Sequence, residues 1–542
     1  MGKRIKWGNI IIFFLIIAAA VAAFYYKNPG ILKNNSGTNT PVNQQNNNND
    51  EDLDDVNNVN KVNKGEFVMG LDSWIGGTPV LMALEREYNK DYLLDMKVEY
   101  IPNDVDRIKA LRDGRIQATE MSLPSFIRFQ EKYPESGVVV GITDFSRGAD
   151  GIIAKSEVKD LNDMEGRKIS YVGDGTGKFI LNKFLRLTGL RYQDIKPVER
   201  EEMGEVIGDL KSGSSDLVVS WSPEMDIAVK EINALKPDGV KVLITTEEVP
   251  ELVPTVLVVN PDVLERYPKK VANFLRTWFA ASKYIIEKPD KAYEKLAEIM
   301  DTEEYGEVTA NDIKESFSKI KLMSLNDNLE YFGLSGTKEK VGTIINDTVQ
   351  TWKQYGDITE NFEPTPGVYT NSSMGSLTAS SSVKELLVGA LNFEKTGNEQ
   401  PTEKPKQVFE AQDDQSIEKN TEKVAKVDIP PVYYNSGKAS VKSESVSVLN
   451  EVVGILMQFP NYYLIVDAHT DSVGSDDTNL KLSRDRAAEV KNYLVSQGID
   501  QNRIVARGWG EYKPVVASEN TEEDRAKNRR TEFILARKTA DK

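Results

Sequence analysis

Three residues near the C-terminal end of this 542-residue chain have types and spacing that could do chemistry. The only histidine, His469, stands two positions before an acid, Asp471, and Arg486 follows fifteen positions later. A carboxylate can bind an ammonium group, and a guanidinium can bind a carboxylate in bidentate geometry. The two side chains could therefore hold one small ligand that carries both groups, such as an amino acid. The alternative is that Asp471 and Arg486 only pair with each other.

Two predicted elements would position this acid and this arginine. Residues 462–468 are an aromatic and β-branched run of strand length, and the Asp, Ser and Gly residues that follow are typical of a turn. From Asn479 onward, apolar residues recur at roughly helical spacing, which predicts a helix that contains Arg486. Asp471 would then lie at the end of a strand, and Arg486 on the helix after the loop.

Four motifs in this region resemble the OmpA-like peptidoglycan-binding domain in order and spacing. They are His-Thr-Asp at 469–471, Asn-x-x-Leu-Ser-x-x-Arg-Ala at 479–487, and the segments 508–514 and 525–530. The resemblance covers about residues 428–538 and implies that Asp471 and Arg486 hold the diaminopimelate of a peptidoglycan stem peptide. It also implies that Thr470 and Asn479 belong to the same site.

Composition limits the kinds of protein that this chain can be. The net charge of −16 and the pI near 5.0 argue against a nucleic-acid partner. The chain has no cysteine, and therefore no disulfide, no thiolate metal site and no cysteine nucleophile. We expect a protein that is not an enzyme, with no metal and no cofactor, in which His469 forms structural hydrogen bonds. A carboxylate pair such as Asp144 with Asp150 is the enzymatic alternative.

The first 64 residues are predicted to anchor and space the rest of the chain. Basic residues precede an apolar run over residues 10–26, which as a helix would be about 26 Å long, just enough to cross a bilayer. The charge before this run predicts a cytoplasmic amino terminus and an exported remainder. A cleaved signal peptide is the alternative for residues 1–27. Residues 28–64 are rich in asparagine and are predicted to be a disordered tether.

Residues 65–357 are predicted to form an α/β unit of two lobes. Strands are predicted at 67–71 and 96–101, and helices at 78–88 and 104–113. This alternation is typical of a parallel sheet flanked by helices, in which ligands bind at the carboxyl ends of the strands. Later strands are predicted at 137–142, 151–154, 168–172, 217–221, 240–245 and 256–260.

Six segments of this unit resemble periplasmic solute-binding proteins of ABC transporters for nitrate, sulfonate, taurine and thiamine precursors. They are Trp74 with residues 76–79, then 110–114, 148–155, 161–168, 210–213 and 220–223. The resemblance implies two lobes that close on a small solute, with the chain crossing between them near residues 154–155 and between Ile244 and Pro254. The pocket residues that it implies are Ser73, Trp74, Ser122, Asp150, Thr176 and Trp221.

The charge of the solute is left open by the sequence. Aspartates near the predicted cleft suit a cationic or zwitterionic ligand. A glycine-rich loop at residues 173–178 links a strand to a helix, and backbone amides at such a helix start could cradle an anion. The two features predict opposite ligand charges.

The complete chain is predicted to combine a two-lobed α/β domain resembling periplasmic binding proteins with a smaller α+β OmpA-like domain at residues 428–542, behind an N-terminal transmembrane helix. Residues 358–427 are polar and are predicted to be a linker. This organisation predicts a membrane-tethered, extracytoplasmic solute receptor fixed to peptidoglycan, with an ABC permease or another membrane protein as a partner. The alternative is a structural tether whose solute-binding domain serves protein interaction.

Overall fold

The computed structural model describes residues 66–173, 175–300, 308–378, 383–388, 409 and 414–539. The predicted anchor at residues 1–27 and the predicted tether at residues 28–64 lie outside these ranges. Within the described ranges, no helix has both the length and the apolar character that a membrane crossing requires.

Fifteen strands in the described residues form three sheets. In chain order they are β1 (Phe67–Leu71), β2 (Met96–Tyr100), β3 (Ala118–Ser122), β4 (Val138–Ser146), β5 (Asp150–Lys155), β6 (Lys168–Val172), β7 (Lys196–Arg200), β8 (Leu217–Trp221), β9 (Val240–Thr245), β10 (Pro254–Val259), β11 (Ile320–Leu322), β12 (Thr421–Val427), β13 (Tyr463–Ala468), β14 (Ile504–Gly508) and β15 (Thr531–Lys538). The first sheet has the order β11-β4-β10-β3-β1-β2, the second β7-β6-β8-β5-β9 and the third β12-β15-β13-β14.

Nineteen α-helices accompany these sheets in the described part of the chain. They are α1 (Pro79–Glu85), α2 (Tyr88–Asp91), α3 (Asp104–Arg112), α4 (Leu123–Lys132), α5 (Thr176–Thr188), α6 (Met203–Ser212), α7 (Glu224–Leu235), α8 (Pro261–Arg266), α9 (Pro268–Glu287), α10 (Pro289–Met300), α11 (Ala310–Ser318), α12 (Leu325–Tyr331), α13 (Val341–Gln354), α14 (Ser372–Thr378), α15 (Val383–Leu386), α16 (Asp414–Lys419), α17 (Val446–Gln458), α18 (Asp476–Ser496) and α19 (Glu522–Asn528). The longest, α18, is the helix predicted to contain Arg486.

The first two sheets are the cores of the two lobes, and both are mixed rather than parallel. β1 is parallel to β2 and β3, whereas β10 is antiparallel to β3 and β4. In the second sheet, β5 is antiparallel to β8 and β9. The antiparallel strands are those that carry the chain between the lobes. They do not follow the helical crossover that makes neighbouring strands parallel.

The chain passes between the lobes twice. β4 ends at Ser146 in the first sheet and β5 begins at Asp150 in the second, so the first crossing is at residues 147–149. The predicted position, residues 154–155, was wrong because β4 continues past residue 142 as a buried strand. The second crossing runs from β9 to β10, in the interval that the sequence predicted.

Thr246 joins the two crossings through one hydroxyl group. Its Oγ1 accepts a hydrogen bond from the backbone N–H of Gly148 at 2.9 Å and lies 2.7 Å from Ser146 Oγ. Its backbone N–H donates to the carbonyl oxygen of Asp150 at 2.8 Å. A side chain of the second crossing therefore fixes the backbone of the first, and the two strands between the lobes form one hinge.

The third sheet is the core of the rear domain, which we define as residues 414–539. β13 is parallel to β14 and antiparallel to β15, and β12 pairs with the other edge of β15. β12 lies inside the predicted linker at residues 358–427, which is therefore not wholly a linker. This edge strand was not predicted because only part of it is buried. Glu422 and Lys423 are exposed and charged, so the strand has no continuous apolar run.

The rear domain contacts the second lobe. Asn162 and Lys426 exchange two hydrogen bonds, of 3.1 Å to the Lys426 carbonyl oxygen and 2.6 Å from its backbone N–H. Arg537 Nη1 donates to the carbonyl oxygen of Leu243 at 3.0 Å and pairs with Glu248 at 3.1 Å. The contact therefore combines side-chain hydrogen bonds to the backbone with one ion pair.

Candidate functional site

A cleft of about 1620 Å³ lies between the two lobes. Its walls include the loops after β1 and β3 in the first lobe and after β6 and β8 in the second, so carboxyl ends of strands from both sheets face it. The structure brings all six residues predicted for the solute pocket to this cleft: Ser73, Trp74, Ser122, Asp150, Thr176 and Trp221. Ligand pockets are typically about 300–1,000 Å³, so a small solute would occupy only part of it.

The indole of Trp74 is held by a buried carboxylate behind it. Trp74 Nε1 lies 3.2 Å from both carboxylate oxygens of Asp144, which also accept from the hydroxyls of Thr143 at 2.7 Å and Thr255 at 3.3 Å. Burial raises the pKa of Asp144 to about 7. A Cβ atom at Gly76 would lie 1.9 Å from Asp144 Oδ2, so glycine permits the contact. Asp144 therefore positions Trp74. This role accounts for a buried acid at residue 144 without the catalytic pair of Asp144 with Asp150.

Ser122 and Thr176 join the lobes at one side of the cleft. Thr176 Oγ1, at the start of α5, donates to Ser122 Oγ at 2.8 Å, and Ser122 Oγ donates to Ser125 Oγ at 2.8 Å. A Cβ atom at Gly175 would lie 3.1 Å from Ser125 Oγ. The helix start at which the sequence suggested an anion is therefore faced closely by hydroxyl groups of the first lobe.

A buried group of charged side chains at the cleft was not predicted from the sequence. Arg107 is 1% exposed and pairs with Asp72 at 2.8 Å and with Asp104 at 2.5 Å. Glu120 is also 1% exposed; its Oε1 accepts from the backbone N–H of Asp72 at 3.3 Å, and its Oε2 has no hydrogen-bond partner among the described residues. Burial, with the charge of Asp72, raises the pKa of Glu120 well above its usual range.

The sequence did carry a weak signal for this group. Glu120 lies directly before Met121 in a short strand, and Arg107 lies directly before Ile108 in a helix whose later apolar residues are buried. Charged residues at buried positions are nearly always paired or functional. Because no strand was predicted at residues 118–122, the burial of Glu120 was not expected.

At the end of β13, Thr470, Asp471, Asn479 and Arg486 form a separate group of polar side chains in the rear domain, which we call the rear pocket. Asp471 pairs with Arg529 at 2.6 Å. In the residues that the structure describes, no ion pair joins Asp471 to Arg486, so the alternative that these two only pair with each other is wrong. Arg486 lies over the ring of Tyr434, 4.8 Å from guanidinium carbon to ring centroid, and its Nε donates to the carbonyl oxygen of Lys438 at 3.3 Å. Burial lowers the pKa of Arg486.

The two remaining predicted residues of the rear site lie in the same pocket. Asn479 Nδ2 donates to the carbonyl oxygen of Asp471 at 3.2 Å and to Glu511 Oε2 at 2.7 Å. Thr470 is buried, and its backbone N–H donates to the carbonyl oxygen of Gly510 at 2.9 Å. Its Oγ1 has no partner among the described residues, which leaves a polar atom free for a ligand.

His469 does not form the side-chain hydrogen bonds expected from the sequence. Both ring nitrogens are buried without a partner in the described residues, whereas its backbone N–H donates to the carbonyl oxygen of Arg530 at 2.9 Å. The backbone of His469 therefore extends the pairing of β13 with β15 by one hydrogen bond, and this bond holds the start of the loop. Burial, with the charge of Arg530, lowers the pKa of His469 to about 4, so the ring is neutral at pH 7. Among the described residues, no three acidic or histidine side chains are arranged to hold a metal ion.

Comparison with known proteins identifies the class of both parts. Residues 74–292 match the NMT1/THI5 like family model, and residues 433–529 match the OmpA family model. The chain therefore combines an NMT1/THI5-like domain with an OmpA-family domain, which confirms both resemblances.

Individual relatives match one part of the chain at a time. Outer membrane protein A of Bordetella avium is 41% identical over 103 residues, which are 19% of this chain and 53% of the relative. Peptidoglycan-binding protein ArfA of Mycobacterium tuberculosis is 35% identical over 105 residues, which are 19% of this chain and 32% of the relative. The chain thus spans about half, or less, of the length of these relatives.

Two solved structures are similar to the front part. The periplasmic aliphatic sulphonate binding protein SsuA from Escherichia coli has 16% identity and a TM-score of 0.44, covering 55% of this chain and 92% of that one. The periplasmic nitrate-binding protein NrtA from Synechocystis PCC 6803 has 12% identity and a TM-score of 0.45, covering 60% of this chain and 91% of that one.

Proposed function

We propose that this protein is an extracytoplasmic solute-binding receptor of the ABC-transporter type, held on peptidoglycan by its rear domain. The observation that supports this is the presence in one chain of a two-lobed cleft with a hinge and of a separate pocket that contains an acid and an arginine. Solute binding would close the lobes about the hinge at Thr246 and present a new surface to a membrane partner such as a permease.

In the rear pocket, Asp471 would bind the ammonium group of a diaminopimelate side chain and Arg486 its carboxylate. The contact of Arg486 with the ring of Tyr434 restrains the guanidinium, which favours bidentate recognition. Because Asp471 pairs with Arg529 in the structure, the ligand ammonium would join or replace that ion pair. The mycobacterial relative is named a peptidoglycan-binding protein, which agrees with this assignment.

The cell envelope is the location that this function requires. Residues 1–27 would hold the amino terminus in the membrane, and residues 28–64 would let the receptor reach the wall, with the bulk of the chain outside the cytoplasm. The chemistry proposed is binding alone, without a catalytic step or a cofactor.

Peptidoglycan binding is tested by sedimenting the purified full-length chain with isolated peptidoglycan. We expect Asp471→Asn and Arg486→Ala to weaken binding about 10- to 100-fold, because each removes a charged hydrogen-bond partner of the ligand. Asp485→Asn and Arg484→Ala are matched controls, since both residues are exposed on the same helix, α18. Equal binding by the wild type and both site variants would show that the pair does not hold the ligand.

Solute binding is tested separately by thermal-shift measurements with oxyanions, sulfonates, amino acids, pyrimidines and amines. Any ligand that binds only the folded state raises the melting temperature by mass action. Stabilisation by one class supports the receptor. If no class stabilises the protein while peptidoglycan still binds, the structural tether is the better account.

A further inference from the structure

The cleft between the lobes carries a strong excess of negative charge. Among the described residues, eleven Asp and Glu side chains line it, against four Lys and Arg side chains. Arg107 pairs with Asp72 and Asp104, Arg200 with Asp209, and Lys319 with Asp226. A cleft with this balance attracts cations and repels anions over distances of about 10 Å at moderate salt.

Two carboxylates at the cleft also have an oxygen atom that accepts no hydrogen bond from the described residues. Glu120 Oε2 in the first lobe and Glu224 Oε2 in the second are both buried without a hydrogen-bond partner in the described residues. Leaving a buried acceptor unpaired is costly, and a ligand N–H would remove that cost. Burial raises the pKa of Glu224 to about 7, and a bound positive charge would oppose this effect.

Two features that could bind an anion are already faced by other protein groups. Arg107 is enclosed by two carboxylates, and the start of α5 is faced by the hydroxyls of Ser122 and Ser125. In contrast, Trp74 and Trp221 line the cleft from opposite lobes. Indole rings attract cationic groups, and they also cover the hydrocarbon part of an organic ligand.

We infer that the solute is an organic cation whose ammonium or amidinium nitrogen binds Glu120, with Glu224 and the 3%-exposed Asp150 contributing negative charge from the second lobe. The hydrocarbon part of the solute lies against Trp74 and Trp221. This inference rests on the proposed receptor function and names the ligand class of that site.

The test uses the purified full-length chain and pairs of probes that share a shape and differ in charge. Benzamidine is compared with neutral benzamide and with benzenesulfonate, and choline and agmatine extend the cationic set. Calorimetry and tryptophan fluorescence measure binding, and the melting temperature measures stabilisation. At roughly 100-fold excess over its Kd, a bound cation is expected to raise the melting temperature by about 5 °C. Benzamide and benzenesulfonate are expected to leave it unchanged.

Charge-removing variants locate the contact. Glu120→Gln keeps the size of the side chain and is expected to weaken cation binding about 10-fold or more, because a bound cation favours the ionised form of Glu120 and an amide cannot ionise. Glu201→Gln is the matched control, since Glu201 lines the same cleft but is exposed, and is expected to change affinity less than about 2-fold. Should Glu120→Gln fail to fold, Glu224→Gln reports the same loss from the second lobe.

The outcomes separate this inference from the receptor function. Binding of benzenesulfonate, nitrate or benzamide without binding of any cation would overturn the ligand class and leave the receptor in place. A lack of response to every cationic probe would overturn the inference, while the receptor function would still be judged by the wider screen of solutes. Equal weakening by Glu120→Gln and Glu201→Gln would overturn the assignment of the contact to Glu120.

Discussion

The side chains on the cleft wall depend on neighbours that need not touch a ligand. Trp74 is positioned by Asp144, and Asp144 reaches the indole only because residue 76 has no side chain. In the rear pocket, Tyr434 supports the guanidinium of Arg486, and its own hydroxyl lies 2.8 Å from Thr531 Oγ1. Substitutions at these supporting residues should therefore act on the sites indirectly.

We call the two-lobed unit at residues 65–357 the front domain. Gly76→Ala should destabilise it by about 1–3 kcal/mol and move Trp74, because the new methyl group would overlap Asp144 and the indole nitrogen. Urea unfolding followed by tryptophan fluorescence measures both effects. Gly208→Ala is the control: Gly208 lies in α6 with nothing within 4 Å of the added Cβ, so it should be neutral or stabilising by up to about 1 kcal/mol. Equal stability of the two variants would contradict the contact.

Asp144 should make the front domain less stable as the pH rises. Its pKa is about 7 in the folded protein because of burial, against about 3.9 for an unfolded aspartate. Below about pH 4 the Asp144 carboxyl is neutral in both the folded and the unfolded state. As the pH rises towards 7, the carboxyl ionises in the unfolded state first, so the free energy of unfolding falls, and this loss is complete above about pH 7. Asp144→Asn should remove on the order of 3 kcal/mol of the difference in unfolding free energy between pH 4 and pH 8.

Urea titrations at several pH values check this prediction. Asp150 and Glu224 have pKa values raised by burial to about 6 and about 7, so part of the slope should remain in the Asn variant. Asp290→Asn, an exposed position at the start of α10, should keep the full slope. A slope unchanged in Asp144→Asn would mean that this carboxyl titrates alike in both states.

Among the elements, the two strands that cross between the lobes are joined by Thr246. Thr246→Val keeps the shape of the side chain but leaves the N–H of Gly148 and the hydroxyl of Ser146 without this partner. We expect a loss of about 1–3 kcal/mol in unfolding free energy. Thr337→Val, at an exposed threonine, should cost less than about 0.5 kcal/mol. Equal urea midpoints for the two variants would argue against a hinge held by Thr246.

At the scale of the whole molecule, one contact between the rear domain and the second lobe lies at the end of β15 away from the rear pocket, and another joins Lys426 of β12 to Asn162. Thr531 pairs with Ala468 next to that pocket, and Arg537 is six residues further along the strand, roughly 20 Å away. Arg537→Ala removes the contacts with Glu248 and Leu243. It should lower the stability of the rear domain by about 1 kcal/mol, because Arg537 is partly exposed.

Calorimetry of the full-length chain, combined with peptidoglycan sedimentation, tests this separation. Arg537→Ala should lower a melting transition while binding to peptidoglycan stays at the wild-type level. Lys538→Ala, at the exposed neighbouring residue, should change neither quantity. A loss of peptidoglycan binding in Arg537→Ala would show that the contact with the second lobe is part of the wall-binding function.

The sequence by itself determined those elements whose signal is local. β6, β8 and β9 have the predicted bounds because each is a short apolar run between turn residues. The two domain classes were also readable, since ordered motifs carry a family pattern. β12 and β3 were missed because a charged edge strand and a strand interrupted by Glu120 have no clear alternation.

Only the tertiary structure decided which groups meet. Asp471 pairs with Arg529, which is 58 positions later in the chain, and Trp74 is held by Asp144, 70 positions away. The burial of Glu120 and the pairing of Arg107 likewise depend on how strands and helices pack. Hydropathy and motif spacing reflect neighbours in sequence, whereas ion pairs, orphaned acceptors and shifted pKa values arise from neighbours in space. For that reason the sequence left the charge of the solute open, and the packed cleft favours a cation.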